Sequence, residues 1–491
     1  MAGCAWLISY FNEIVKEGGY LGCIGVLAMF SSCMTWVALA KSLAVMLPTL
    51  QEQFGASTWL VGWIVAMVDG SVELAGPIAP ILRDTFGVRM VFMASGVVVG
   101  ISFTSAAFST SLSTIACILA VVAGPTLGLA NLLSRDLIGR CFEKYHTTAL
   151  SIAGFGVSMG YVIFAPLTQF LLDLYGWKAT MMLLGAIICN LTVCGALLKP
   201  RDKTTSGHGD YQAVDKDGDQ RVNKDDDQRA DKDGDQCADK DGDQQVDKYG
   251  DQQVNKGGGR RAVDDQEDRE YPQSRASNHK TIRKFITSNL NLYLFTSVRY
   301  WLVTFVTVMT WLTFAAWMIY FVPYVTISKG YSLHEAANFV LIFGVGKLVG
   351  CLLVGQTIPA CRKIGIGANV WMLVSTFVLA TYFFVDPWLT ASWAISVNAS
   401  VLGCFHSFTF VLYDVITKEA IGVDQLGSAL GWIGLKAGIV RFAFLFFPGL
   451  VFDTLGSYTV AFVIMGGMNV LGGVAMLALT WLQRHRKDTA I

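Results

Sequence analysis

Apolar runs of about 20 residues, separated by short polar connections, recur along most of the chain, and one long polar stretch interrupts them near the middle. The runs fall near 19–45, 58–82, 89–109, 112–134, 147–171, 177–199, 296–326, 336–358, 366–385, 389–415, 428–452 and 458–482. Each is long enough to cross a hydrocarbon layer of ~30 Å as a helix. A helix also satisfies its own backbone in lipid, which an open strand cannot do. The pattern predicts an all-α membrane protein of twelve transmembrane helices in two six-helix halves, 1–199 and 286–491, on either side of a polar segment at 200–285.

Composition agrees: 53% of the 491 residues are hydrophobic, only 15% are charged, and 49 are glycine. That balance excludes an ordinary soluble enzyme. The eleven cysteines lie mostly inside the apolar runs with no CxxC spacing, so they read as small buried residues and not as a disulfide framework or a metal site. Glu13, Lys16 and Glu17 interrupt the N-terminal apolar stretch before any small-residue cleavage site, so the first run is not a cleavable signal peptide. Formal net charge is zero, and charge becomes informative only when it is sorted by connection.

Lys16; Arg83 and Arg89; Arg135, Arg140 and Lys144; the polar segment; Arg362 and Lys363; Lys418; and Arg484, Arg486 and Lys487 occupy alternate connections. Lys178 and Lys329 are isolated exceptions. By the positive-inside rule both termini and the 200–285 segment are cytoplasmic. That segment repeats an octet about six times, from AVDKDGDQ to QVNKGGGR, and has too little apolar area to fold, so it is expected to be a disordered linker. Its DKDGD core resembles calcium-loop chemistry, but the glycine is out of register and no bidentate glutamate follows.

A second repeat marks the architecture. DTFG at 84–87, DLYG at 173–176 and DTLG at 453–456 follow the second, fifth and eleventh runs, and CRKIGIG at 361–367 stands in the matching place after the eighth without the acid. One such turn in every three helices describes three-helix units repeated four times, a plan used by many secondary transporters. ILRDTFGVR at 81–89 is similar to the signature between helices 2 and 3 of the major facilitator superfamily. Within it, several stretches resemble the monocarboxylate transporter family: EGGYLG at 17–22, ALAKSLAVM at 38–46, CFEKYHTTALSIAGFGVSMG at 141–160 and APLTQFLLDLYGWK at 165–178. The third keeps Phe142, Lys144, Ala149, Ala153, Gly156 and Gly160 of the family's pattern and departs at Tyr145, His146, Leu150 and Ser151.

The resemblance implies a major facilitator fold of two halves with alternating access. It also implies carriage of small organic acids or, in some members, of amino acids, thyroid hormone or creatine. A plasma-membrane location and, for several members, a single-span glycoprotein chaperone come with it. Proton-coupled members carry on helix 8 an Asp and, four residues on, an Arg. Those positions are Lys347 and Cys351 here, so the residues that proton coupling would use are absent. The lysine of the family's first helix is Lys41.

A charge at mid-bilayer depth costs ~2.5 to 3.5 kcal/mol even on a lenient scale, so each one within a run is a candidate site residue. Lys41 lies in the first run, Asp69 and Glu73 in the second, Lys347 in the eighth, His406 and Asp414 in the tenth, and Lys436 and Arg441 in the eleventh. Asp69 and Glu73, four apart, share a face. Counted in from the cytoplasmic ends, Glu73 lies near the depth of Lys436 and Asp69 near that of Arg441. The pairs Glu73–Lys436 and Asp69–Arg441, or the crossed arrangement, are therefore expected as gating or coupling charges, or as static pairs.

Lys41 and Lys347, with Arg441, are the candidates for holding an anionic solute. Lys347 could instead be neutralised by a nearby carboxylate. His406 is able to titrate near neutral pH or to serve as a hydrogen-bonded core residue, and Asp414 is expected beside Lys418. The glycine runs GVVVG and GGMNVLGG read as close-packing faces.

No assembled nucleophile and base, phosphate-binding loop or metal spacing is present, so neither an enzyme nor an ATP-driven pump is indicated, and no cofactor is expected. The sequence reads as a secondary transporter of a small organic anion, a monocarboxylate. Its partners would be that solute and the lipid bilayer, without nucleic acid. The alternatives are a facilitative carrier of a neutral or zwitterionic solute and a transporter-derived sensor signalling through the linker.

Overall fold

The structure is a computed structural model and describes residues 2–55, 64, 67–198 and 291–488. The polar segment at 200–285 with its octets, and 58–63, 65 and 66 of the second run, lie outside the described residues. Among the described residues the regular structure is helical, with no strand. Ten stretches are long and apolar enough to cross a membrane. One of them, His146–Ala196, holds two spans joined at Gly176, and the second run is described only in part. Those two facts account for the difference from twelve.

In chain order the membrane helices are α1 (Ala2–Phe54), α2 (67–86, ending in Ala79–Phe86), α3 (Val88–Ala106), α4 (Leu112–Cys141), α5 (146–175) and α6 (177–196). They continue with α7 (Val298–Pro323), α8 (Leu333–Lys363), α9 (Ala368–Val385), α10 (Ser392–Ile421), α11 (Leu426–Leu455) and α12 (Thr459–Asp488). The helices of both halves belong to one compact unit. The repeated turns share one backbone solution: Gly87, Gly176, Gly365 and Gly456 all have positive φ, between 69° and 82°. An L side chain is strained there, and so the glycine of Asp-x-x-Gly is retained even after α8, where the acid is missing.

Hydrogen bonds fix which connections share an end. The Tyr20 hydroxyl of α1, just past the helix's kink at Gly19, donates to the Leu197 carbonyl beyond α6. Glu17 accepts from the amides of Glu143, Lys144 and Tyr145 in the α4–α5 turn, and Asn291 before α7 donates to Ser428 at the start of α11. At the other end Lys329 donates to the carbonyls of Asp386 and Leu389, 2.6 and 2.7 Å away. Lys329, an exception to the charge pattern, is thus consumed as a clamp between the α7–α8 and α9–α10 connections.

The halves meet along two seams. At α5 and α8, Thr148 donates to the Gly355 carbonyl at 2.8 Å and Ser151 to the Cys351 carbonyl. At α2 and α11, a Cβ placed on Gly76 would lie 2.8 Å from the Gly431 Cα, and one on Gly438 would lie 2.9 Å from the Gly70 carbonyl. Only hydrogen at these positions lets the backbones come so close. Near the termini the Lys418 ammonium of α10 donates to the Phe142 carbonyl at 2.6 Å. The core cluster shared by both halves runs through Phe142, Tyr145, Ala149, Tyr413 and Leu426, whereas further clusters belong to one half or very nearly so. The expected packing role of GVVVG holds, since a Cβ on Gly96 would lie 2.5 Å from the Thr192 amide nitrogen of α6.

Candidate functional site

The run FGVGKLVG places Lys347 in α8 between Gly346 and Gly350. These glycines lie against the backbone of α10 at Ser400 and Cys404, where an added Cβ would stand 2.8 Å from the Cα of each. Gly403 of α10 returns the contact, 2.8 Å from the Lys347 amide nitrogen by the same measure. Ser407 adds a hydrogen bond to the Lys347 carbonyl at 2.7 Å. The close approach carries the Lys347 ammonium to within 2.8 Å of His406 Nδ1. Lys347 is 1% exposed, and its Nζ lies 5.3 Å from the ring centroids of both Phe314 and Phe410.

His406 itself stacks on Phe314 at 3.6 Å between centroids. When the lysine is protonated Nδ1 must accept, which leaves a neutral imidazole with its proton on Nε2. The carboxylate considered as a partner for Lys347 is therefore not the one found. Among the described residues its polar neighbour is an imidazole, and no carboxylate lies at ion-pair distance from it.

Lys41 of α1 lies over the Tyr161 ring at 5.2 Å, and Tyr161 meets Phe343 edge-on. Phe343 packs on Phe314, so the two lysines lie on one aromatic wall contributed by both halves.

The charges of α2 and α11 meet as one expected pair and not as the other. Arg441 binds Asp69 at 2.8 Å, and its second nitrogen lies 3.7 Å from Glu73. Trp36 donates to the other oxygen of Asp69 at 3.0 Å. Glu73 thus shares Arg441 and does not reach Lys436. Lys436 is enclosed by the rings of Phe295, Tyr300 and Trp301 at 4.4, 4.1 and 4.1 Å and donates to the Tyr300 hydroxyl at 2.6 Å. Arg441 already faces two carboxylates, so it offers a solute less free charge than Lys347 does.

Arg135 and Asp414 are where the structure departs most from expectation. Arg135, sorted with the loop cations, is a buried residue of α4. Asp414 is 1% exposed and pairs with Arg135 at 3.5 Å, not with Lys418. Lys418 is taken up by the Phe142 carbonyl. The Arg135 guanidinium lies 4.8 Å from the Phe410 ring and 5.9 Å from that of Trp311, and Arg441 lies 5.6 Å from Trp311. An open cleft of about 270 Å³ adjoins this group and is lined by Glu73, Asn131, Leu132, Arg135, Trp311 and Tyr413, among others, from both halves. Nearer the termini Asp136 binds Arg83 and Arg140, a turn-end network that binds α2 to α4.

A cleft between two helical halves, walled by aromatic rings and buried charges, is the arrangement of a carrier and not of a catalyst. Residues 24–360 match the Major Facilitator Superfamily. The chain belongs to that superfamily. Within it, the chain is 23% identical to rat monocarboxylate transporter 12 over 97% of its own length and 88% of that protein's. It is equally similar to human monocarboxylate transporter 14, over 97% and 90%. It is 32% identical to mouse monocarboxylate transporter 11 over a shorter stretch, 38% of this chain and 41% of that one.

These are the similarities of a divergent relative of the monocarboxylate transporters. The fold matches the human organic anion transporter MFSD10 (TETRAN) with a TM-score of 0.61 at 12% identity, covering 93% of this chain and 99% of that one. It matches the proton:xylose symporter XylE with a TM-score of 0.60 at 14% identity, covering 93% and 95%. The chain is a multi-pass membrane transporter, not an enzyme.

Proposed function

We propose that this transporter carries a small organic anion, a monocarboxylate, by alternating access. The observation that supports it best is Lys347: a fully buried ammonium held by a neutral imidazole and two aromatic faces, with no carboxylate at ion-pair distance among the described residues. Such a charge is costly to bury unless an anion compensates it for part of the cycle, and a carboxylate solute is that anion. The similarity to monocarboxylate transporters supports the same class.

Proton coupling through α8 is not part of this reading, since Lys347 and Cys351 supply neither an acid nor an arginine. With the termini taken as cytoplasmic, in the plasma membrane, the bonds from Thr148 to Gly355 and from Lys418 to Phe142 tie the halves together at the cytoplasmic end. A single-span glycoprotein chaperone remains a proposal on resemblance alone. A zwitterionic solute is the second reading, favoured by the presence of Glu73 beside Arg135 in the cleft.

The deciding experiment is uptake of radiolabelled lactate, pyruvate, amino acids and creatine into proteoliposomes, with and without an imposed pH gradient. Saturable entry of a monocarboxylate, unaltered by the gradient, is expected. Accumulation driven by the gradient would overturn the uncoupled reading, and entry of amino acids alone would favour the zwitterion. Lys347→Gln is expected to raise the half-saturation concentration about tenfold, the equivalent of 1.4 kcal/mol. Unchanged affinity would assign Lys347 a structural role.

A further inference from the structure

The Arg135–Asp414 contact has poor geometry for a pair that exists only to satisfy buried charge. Its single N···O distance is 3.5 Å, and both oxygens of Asp414 and Nε of Arg135 lack a hydrogen-bond partner among the described residues, although all are buried. Static buried pairs persist where short, well-directed bonds meet every donor and lone pair, because loose ones do not recover their desolvation cost. A guanidinium presents a planar fork that matches a carboxylate through two parallel bonds, and Asp414 uses that fork only partly. The same guanidinium lines the 270 Å³ cleft between the halves.

We infer that Arg135 is the anchor for the carboxylate of the transported solute and that Asp414 is an internal stand-in, occupying the arginine when the carrier is empty and displaced when the solute arrives. This inference rests on the reading of the protein as a carrier of organic anions. It adds a residue of α4 that neither the sequence pattern nor the resemblance assigned to the solute.

The surroundings narrow the solute. Trp311, Leu132 and Leu430 give the cleft an apolar wall for a hydrocarbon body, and Asn131, one turn from Arg135 on α4, supplies a neutral polar group. Glu73 lies on the same wall, held by Arg441 at 3.7 Å. A second carboxylate on the solute would meet that negative charge. The site therefore suits a monoanion and disfavours a dicarboxylate.

The stand-in role separates the two residues experimentally, because removing them shifts affinity in opposite directions. The full-length protein is reconstituted in proteoliposomes and assayed with radiolabelled pyruvate, phenylpyruvate and succinate. For the monocarboxylate that the wild type carries, Arg135→Gln is expected to raise the half-saturation concentration about tenfold or more, Arg135→Lys to give an intermediate value, and Asp414→Asn to lower it. Succinate is expected to enter poorly in every case.

Arg135→Gln alone strands the Asp414 charge and risks misfolding, so Arg135→Gln with Asp414→Asn is the decisive variant. It removes both charges together, its fold is checked by gel filtration, and its affinity is expected to stay as weak as that of Arg135→Gln. Recovery of wild-type affinity in the double variant would make the pair structural and overturn the inference, as would unchanged affinity in Arg135→Gln. A wild type that carries neither monocarboxylate overturns the anion reading along with it, whereas uptake that ignores Arg135 overturns the anchor alone.

Discussion

Arg441 faces two carboxylates, and its removal is therefore unlike the removal of either partner. Arg441→Gln removes the ion-pair partner of both Asp69 and Glu73 on adjoining turns of α2, where loss of one partner of a buried pair costs about 3 to 5 kcal/mol. Asp69→Asn leaves Arg441 with Glu73, so its cost is expected to be smaller. Thermal unfolding of the detergent-solubilised protein checks the ranking, and equal midpoints for the two variants would contradict it. Lys436→Met is expected to cost about 1 kcal/mol, the loss of a half-buried cation–aromatic interaction, read in the same assay.

The Asp69–Arg441 pair was legible from depth counted in from the cytoplasmic ends, as one of two arrangements. The surroundings of Lys436 were not, since its three rings come from residues 295–301 at the entry to α7, which no period connects to α11. Asp414 was placed inside the tenth run but given the wrong partner, because spacing along its own helix pointed to Lys418 and not to Arg135 of α4. Arg135 was misjudged through a boundary: the fourth apolar run fades at 134, but the helix continues to Cys141, so Arg135 lies inside it. Polar residues in the last turns hid this, because they face protein and not lipid.

Between α8 and α10 the spacing of glycine decides where the charge lies. Gly346 and Gly350 bring the two backbones together and so place Lys347 on His406. A methyl group on Gly350 would stand 2.8 Å from the Cys404 Cα, and α10 would have to withdraw. Gly350→Ala is expected to abolish most uptake, whereas Gly344→Ala, with nothing within 4 Å of its added Cβ, is expected to stay within about twofold of wild type. Equal uptake by both variants would separate the close packing from transport. The sequence identifies glycine-rich faces, and the Asp-x-x-Gly turns announce the threefold unit. It does not say which helix each face meets, because that depends on contacts between residues more than fifty positions apart.

Across the whole molecule the twelve-helix plan follows from hydropathy, and its two halves from the polar interruption at 200–285. A carrier needs that segment only to connect them. Deleting the octets while keeping a flexible polar link is expected to leave uptake unchanged, and loss of uptake would favour the sensor reading. The closure of one end has a further consequence. Thr148, Ser151 and Lys418 each donate across the seam to a main-chain carbonyl, at Gly355, Cys351 and Phe142. Every residue type has that carbonyl, so Cys351 and Phe142 can change polarity without losing the bond, while the donors cannot, and Gly355 must stay glycine because an added Cβ would lie 2.9 Å from Ser151 Oγ. Mutational scanning of the seam should therefore be lopsided, intolerant at the three donors and at Gly355 and more permissive to polarity changes at Cys351 and Phe142. The lock recognises the shape of a backbone and not the identity of a partner.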